Sequence, residues 1–193
     1  YDDKAEEPIE KQNEELNNSV NSKQNELDRK KNEYQSLYKK YMDMSTTMVS
    51  NIITFNQYPD YPNGCEAVSL YILLRHYGVN VSVDSVMDAL PIGSVPYMVD
   101  GIWRGGDPNY EFLGDPRSQD GWGIYDQGLA YTANKFKSGI INGTGMDFGQ
   151  IINLINNGRP VIVWTSIDLS DPYVANSWIS DRTGETIYWK RYN

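Results

Sequence analysis

The chain has very little of the side-chain chemistry that metal centres and disulfide frameworks require. Its 193 residues contain one cysteine and one histidine. One cysteine cannot form an internal disulfide, and together these two residues cannot supply a four-ligand Cys/His zinc site. We therefore expect no resident metal and no cofactor.

Positive charge and long apolar runs are also scarce. The chain has 17 Lys and Arg residues against 26 Asp and Glu residues, which gives a net charge of −9 and a pI near 4.6. Such a balance argues against a broad basic face for nucleic acid or for an anionic membrane. No apolar run approaches the roughly 18 to 20 residues of a membrane helix. We expect neither a nucleic-acid partner nor a membrane span.

Residues 1–45 differ in composition from the rest of the chain, since they are highly charged and contain no glycine and one proline, Pro8. The pattern predicts one long helix from about residue 8 to residue 44. A heptad repeat fits most of it, although Lys23 and Lys30 interrupt the apolar seam. Two interpretations remain open, a solvated stalk and a coiled coil that forms a homodimer.

Residues 46–193 are predicted to form a globular domain of the α+β class. Four helices are expected, at about 65–77, 83–90, 124–136 and 148–157. Ser82 and Asp147 have the side chains of N-caps for the second and the fourth. Three strands are expected at 52–55, 160–166 and 186–192. Residues 91–123 read as a long loop of the kind that often serves function.

The single cysteine lies at the predicted start of the most apolar helix. Backbone N–H groups and the helix dipole there favour a thiolate and should lower the pKa of Cys65. Gly64 would let a substrate backbone approach closely. Gln57 could complete an oxyanion hole with the Cys65 N–H. Position alone leaves open the alternative of a buried structural cysteine beside a polar loop residue.

The stretch QYPDYPNGCEAVSL, residues 57–70, resembles the active-site start of papain-like cysteine peptidases. It is most similar to peptidase family C39, the bacteriocin-processing, double-glycine leader peptidases, and to a free-standing, mostly extracellular bacterial branch of that family. The segments GGDPN, FLGDP and GWGIY within 105–125 match as well, and so does the helix, turn and apolar run at 147–166. The resemblance covers about residues 50–193.

The resemblance implies a papain-like fold, with a cysteine at a helix start and a C-terminal antiparallel sheet, here preceded by the long N-terminal helix. It implies that Cys65 is the nucleophile and Gln57 the oxyanion-hole donor. The general base of that family is a histidine on a later strand, which would follow Asn193. We therefore expect the native chain to continue beyond this residue, and the 193-residue chain to be inactive.

His76 is a poor candidate for the missing base. It lies eleven residues after Cys65 on the same predicted helix, and this spacing corresponds to about 16 Å along the axis. A general base must lie within about 3 Å of its nucleophile, or within reach through one water molecule. The spacing therefore excludes His76.

Acidic residues are concentrated in the predicted loop, at Asp107, Glu111, Asp115 and Asp120. The residues alone allow ordinary turns, a wall of the substrate cleft or a Ca²⁺ site, although their spacing does not match an EF-hand. In the resembled family this segment borders the cleft. Our candidate substrate-binding residues are Gly64, Asp107, Asp115 and Trp122.

Two functions are compatible with these patterns. The first is a cysteine peptidase that cleaves a peptide or protein substrate at the bacterial surface or outside the cell, after an N-terminal targeting segment has been removed. The second is an inactive, surface-presented module that binds peptide or cell-wall material, with the helical arm as a spacer. A histidine after Asn193 would favour the enzyme.

Overall fold

The computed structural model describes the backbone of residues 7–44, 48–166, 171 and 173–191, and side chains at 11–40, 48–166, 171 and 173–190. The chain divides into two compact units, Tyr1–Met48 and Val49–Asn193. The boundary expected at 45/46 adjoins residues 45–47, which lie outside the described residues.

The first unit contains one long helix, α1 (Glu7–Met44), so the predicted helix is confirmed. Its 38 residues span about 57 Å. All side chains at 11–40 are exposed, including the apolar Leu16, Val20 and Leu27. Glu26 and Lys30 form an ion pair at 3.2 Å along the helix. Among the described helices, none combines the length and the apolar character needed to cross a bilayer.

The centre of the second unit is α2 (Cys65–His76), whose buried residues surround much of its circumference. These are Ala67, Val68, Leu70, Leu73 and Leu74. The next helix, α3 (Val83–Ala89), begins where the Ser82 hydroxyl accepts a hydrogen bond from the Ser85 amide. The two helices share one hydrophobic core. The sequence prediction of both is confirmed.

Two more helices follow later in the chain. The first, α4 (Asp126–Phe136), begins two residues after its predicted start because the Ile124 amide bonds to a side chain of α2 and Tyr125 is in an extended conformation. The second, α5 (Phe148–Asn156), has a capping box between Asp147 and Gln150, which satisfies backbone groups at both positions.

Six strands form two small sheets within the described residues. They are β1 (Ile92–Gly93), β2 (Tyr97–Val99), β3 (Ile102–Gly105), β4 (Phe112–Leu113), β5 (Tyr173–Ser180) and β6 (Thr186–Arg191). One sheet is the parallel pair β1–β4, and the other has the order β2-β3-β5-β6. In the larger sheet β3 and β5 are parallel, while the two outer pairs are antiparallel.

Three sequence predictions about strands need correction. Residues 91–123 are not one long loop, since they contain β1 to β4. Residues 52–55 and 160–166 have strand-like composition but are irregular. A strand requires a hydrogen-bonded partner, and neither segment joins a ladder with the described strands. The α+β class is nevertheless correct, and β6 lies where it was predicted.

A second, smaller core lies under the larger sheet, around Trp178 of β5. The indole N–H of Trp178 donates to the Gly106 carbonyl at 2.8 Å. The next residue, Asp107, is 2% exposed, and its carboxylate accepts hydrogen bonds from the backbone and side-chain amides of Asn109 and from the Ser180 hydroxyl. These bonds fix the turn after β3 to the end of β5.

We expect Asp107→Ala to lower the free energy of unfolding by about 2–4 kcal/mol, because it leaves the buried Ser180 hydroxyl and the Asn109 amide without their acceptor. Asp115→Ala is the matched control. Asp115 is exposed, and its carboxylate accepts from the nearby Arg117 amide, so the loss of this side chain should cost at most about 1 kcal/mol. Urea unfolding followed by tryptophan fluorescence measures both. Equal losses for the two variants would contradict this role of Asp107.

Candidate active site

Cys65 is the first residue of α2, and a compact turn leads into it. The Tyr61 amide donates to the Gln57 carbonyl at 2.8 Å, and the Gly64 amide donates to the Tyr61 carbonyl at 3.0 Å. The Gly64 carbonyl then accepts the first helical bond, from Val68, at 2.9 Å. The chain therefore enters the helix with Cys65 at its N-terminus, as the sequence predicted.

Gly64 has a packing role that the sequence did not indicate. It is buried, and a Cβ atom there would lie 2.6 Å from Cε of Met87 and 3.0 Å from Cβ of Tyr61. The core therefore has no room for a side chain at this position. The helix start therefore packs closely on α3, and the expected role of Gly64 in substrate approach stays a prediction.

A second turn of the chain holds the residues before Cys65 in place. The Asn63 side-chain amide donates to the Ser118 carbonyl at 2.7 Å, and the Asn63 backbone amide donates to the Pro116 carbonyl at 3.3 Å. Arg117, in the same turn, pairs with Asp84 and Asp88 of α3. The position of the cysteine is thus set from two directions.

Cys65 opens on a cavity of about 390 Å³ with mostly apolar and aromatic walls. Its lining includes Trp122, Tyr125 and Trp189 on one side and residues 162–165 on another. Tyr125 and Trp189 stack with ring centroids 5.3 Å apart, and Trp122 lies 5.5 Å from Trp189. Such a cavity suits an apolar group bound next to Cys65.

The immediate partner of the cysteine is its neighbour in sequence. Sγ of Cys65 donates to Oε2 of Glu66 at 3.2 Å, while Oε1 of Glu66 accepts from the Ile124 amide at 3.3 Å. Burial, followed by the Glu66 charge and this hydrogen bond, raises the pKa of Cys65 to about 12. Burial also raises the pKa of Glu66.

The expected lowering of the Cys65 pKa by the helix N-terminus is therefore wrong for this structure. Cys65 is exposed at the open side of the cavity, but protein atoms on its other side remove part of the hydration that a thiolate needs. This desolvation and the adjacent carboxylate outweigh the backbone N–H groups. The thiol is neutral at physiological pH.

The candidate substrate-binding residues occupy different places. Trp122 lines the cavity next to Cys65. Asp107 and Asp115 are not among the lining residues, because the first is buried in the turn after β3 and the second faces solvent in the turn at 115–118. Gln57, the candidate oxyanion donor, uses its side-chain amide to donate to the Pro62 carbonyl at 3.4 Å.

His76 lies at the opposite end of α2 from Cys65, as the spacing required. Its ring packs edge-on against Tyr77 with the centroids 5.1 Å apart, and Nδ1 is buried without a partner in the described structure. His76 therefore has no access to the thiol.

The acidic residues of 107–120 do not converge on a common point. Glu111 pairs with Arg182 at 3.4 Å, and Asp115 accepts from the Arg117 amide. Across the part of the chain that the structure describes, no group of three carboxylate, cysteine or histidine side chains is arranged to hold a metal ion. The alternative of ordinary turns therefore fits this segment best.

Sequence reasoning missed two contributors to the site. Glu66 follows Cys65 directly, and an acidic residue in the first turn of a helix was a visible signal. Trp189 reaches the cavity only because β6 pairs with β5, and this long-range pairing has no local signature.

Comparisons with known proteins bear on the second unit. Residues 49–185 match the Peptidase C39-like family. The uncharacterized protein YvpB of Bacillus subtilis (strain 168) is 27% identical over 131 residues, which cover 66% of this chain and 51% of YvpB. The aligned region thus spans about half the length of that relative.

A crystal structure of a candidate C39-like peptidase from Bacillus anthracis has the same fold. It superposes with a TM-score of 0.61 at 23% identity, over 74% of this chain and 72% of the other. The fold is thus that of a C39-like peptidase. Because the family match covers well over half of the chain, this protein belongs to the Peptidase C39-like family.

Proposed function

We propose that this protein is a cysteine peptidase in which Cys65 attacks the carbonyl carbon of a peptide bond. The observation that carries the proposal is the position of Cys65, at the first residue of α2 and open to a cavity with aromatic walls. Membership of a peptidase family supports it. The substrate is a peptide or protein, and we place the reaction at the bacterial surface or outside the cell.

In the proposed reaction the Cys65 amide and the Gln57 side chain stabilise the oxyanion. Gln57 lies at the start of the turn that leads to Cys65, and its amide is held by one long bond of 3.4 Å to Pro62. A bond of that length is easily exchanged for a stronger one to a negatively charged oxygen. Gln57 would therefore turn toward the substrate as the tetrahedral intermediate forms.

The proton of the thiol must pass to a base, and the sequence contains one histidine, at the wrong end of α2. We propose that the base is a histidine that follows Asn193 in the native chain. It would have to reach Sγ, which already donates to Oε2 of Glu66 at 3.2 Å. The thiolate then attacks, and the imidazolium returns the proton to the leaving amine.

We expect a chain extended to the native C-terminus to cleave a fluorogenic peptide library, and the 193-residue chain to show no turnover. In the extended chain, Cys65→Ala should reduce kcat/KM by at least about 10³-fold, because the nucleophile is lost. The matched control is Ser69→Ala, which alters a polar cavity residue on the same helix and should retain most activity. Turnover that survives Cys65→Ala would refute the proposal.

The second candidate is an inactive module that binds peptide in the same cavity, and the raised pKa of Cys65 is the observation that favours it. The two candidates are separated by the extended chain. A module would bind members of the library by fluorescence polarisation without cleaving them, in the wild type and in Cys65→Ala alike.

The alkylation rate of Cys65 by iodoacetamide should follow the raised pKa of its thiol. Since only the thiolate reacts and the pKa is about 12, the rate constant of the 193-residue chain should climb about tenfold per pH unit from pH 6 to pH 9, without a plateau. The unfolded chain in urea, whose thiol has a pKa near 8.5, is the control. A plateau below pH 8 in the native chain would show that the thiolate is stabilised.

We further propose that α1 pairs with α1 of a second copy. Leu16, Val20 and Leu27 are exposed by more than half of their side-chain surface, and the heptad pattern places them along one seam. Leu27→Glu should shift the chain from dimer to monomer in sedimentation equilibrium, whereas Gln24→Glu, which lies off the seam, should not. A wild-type chain that is monomeric at 100-micromolar-scale concentrations would favour the stalk.

A further inference from the structure

The carboxyl group of Glu66 is held by backbone groups of a distant segment, residues 123–124. Oε1 accepts the Ile124 amide at 3.3 Å, and the rest of the carboxyl group lies against Gly123. Gly123 is itself fixed, because its carbonyl accepts from the Leu113 amide at 2.9 Å. The group is therefore held in one orientation, with Oε2 directed at Sγ of Cys65, 3.2 Å away.

The absence of a side chain at Gly123 makes room for the Glu66 carboxyl group. A Cβ atom there would lie 2.5 Å from Oε1 of Glu66, which is too close for any pair of non-bonded atoms. The φ angle of Gly123 is +146°, a conformation that other residues rarely adopt. The lack of a Cβ atom and the positive φ angle of Gly123 both allow the Glu66 carboxyl group to approach the backbone closely.

We propose that Glu66 is a positioning residue for the nucleophile, and that its anchored carboxyl group holds the Cys65 thiol neutral and hydrogen-bonded until a base reaches it. This inference rests on the proposed role of Cys65 as nucleophile. Glu66 itself takes no part in bond making.

The chemistry of the pair explains the effect. To attack, Cys65 must give up its S–H proton and the bond to Oε2, and the resulting thiolate would face a carboxylate at hydrogen-bond distance. The other titratable groups on the described cavity wall are Tyr125 of the α4 N-cap and Lys190 of β6. Sγ itself donates to Oε2 of Glu66. The Glu66 carboxylate is therefore a charged group in direct hydrogen-bond contact with the thiol.

The consequence is a latent nucleophile. A peptidase thiol that is exposed to solvent and permanently ionised would react with any electrophile it meets. Here the thiol remains protonated until an imidazole at the cavity opening competes with Glu66 for the proton. Activation then depends on the arrival of the base, and not on the helix N-terminus alone.

The test is the pH profile of Cys65 alkylation in the 193-residue chain. The thiolate displaces iodide from iodoacetamide, so that a C–S bond forms as the C–I bond breaks and the thiol proton passes to solvent. Glu66→Gln keeps one oxygen to accept from the Ile124 amide. It replaces Oε2 by an NH2 group, which removes the negative charge beside Sγ and donates to a thiolate instead of accepting from S–H. We expect its rate constant at pH 7.5 to rise about tenfold, which corresponds to a one-unit fall in the thiol pKa.

Two controls separate positioning from a merely structural role. Glu111→Gln removes a carboxylate of the same unit that pairs with Arg182 instead, and its alkylation profile should match the wild type. Urea unfolding of Glu66→Gln reports any loss of stability. A less stable Glu66→Gln variant with an unchanged alkylation profile would overturn the proposal and leave Glu66 as a structural anchor.

A measurement on the wild type keeps the inference testable if the variant fails to fold. The chain has one cysteine, so the S–H stretching band in its Raman spectrum belongs to Cys65 alone. We expect this band at lower frequency than that of a thiol in an apolar solvent, as hydrogen bonding to Glu66 requires. A band at the free-thiol frequency would overturn the proposal.

These readouts also distinguish this inference from the peptidase assignment. Alkylation and Raman spectra report on the thiol whether or not a peptide is cleaved. If the extended chain has no peptidase activity while Glu66→Gln still raises the alkylation rate, the assignment fails and the effect of Glu66 on the thiol stands. If peptides are cleaved and Glu66→Gln leaves the profile unchanged, only the role of Glu66 fails.

Discussion

The start of α2 is tied to three separate parts of the chain, and the geometry of the site depends on those ties. Gly64 packs on Tyr61 and Met87, the Asn63 side chain donates to Ser118, and the Glu66 carboxyl group accepts from Ile124. Each tie involves a residue next to Cys65 or one position further away. The apolar remainder of α2 packs in the core, so Cys65 stands on a helix that is itself held in place. The position of a cysteine on a mobile loop would be fixed less precisely.

Two opposing electrostatic effects act on Cys65, and their magnitudes decide the outcome. A helix N-terminus is worth about 0.3–1 kcal/mol to an anion, which is less than one pKa unit. Burial alone can shift a pKa by as much as about 3–5 units. With Glu66 at hydrogen-bond distance, both burial and the adjacent charge favour the thiol. In the proposed reaction, the dipole would help to stabilise the thiolate once a cationic imidazolium balances the charge of Glu66.

The features that sequence could predict are those with a local cause. The caps at Ser82 and Asp147 and the buried face of α2 follow from neighbouring residues, and all three are present. The short strands between 92 and 113 depend on partners elsewhere in the chain, such as the pairing of Arg104 with Ile179. The same dependence explains why residues 160–166, with a β-branched composition, are irregular here.

Candidate site residues follow the same division. Cys65 could be found because a cysteine after Asn-Gly at a helix start is a local pattern, and Trp122 because it belongs to a recognisable segment. Asp107 could not be placed correctly, since one of the donors to its carboxylate is Ser180, 73 residues away. An aspartate before proline looks like a surface turn in sequence, and only the fold shows that this one is buried.

The aromatic wall beside Cys65 both supports the fold and lines the cavity. Trp122, Trp178 and Trp189 pack within 6.2 Å of one another, so they support the larger sheet while two of them line the cavity. A wall made of rigid rings that already contact each other loses little entropy when a peptide binds. Cys65 lines the same cavity, and burial is the largest cause of the raised pKa of its thiol. In the proposed function, one cavity would therefore both receive the substrate and hold the thiol neutral, and a substitution that opens this wall would weaken both.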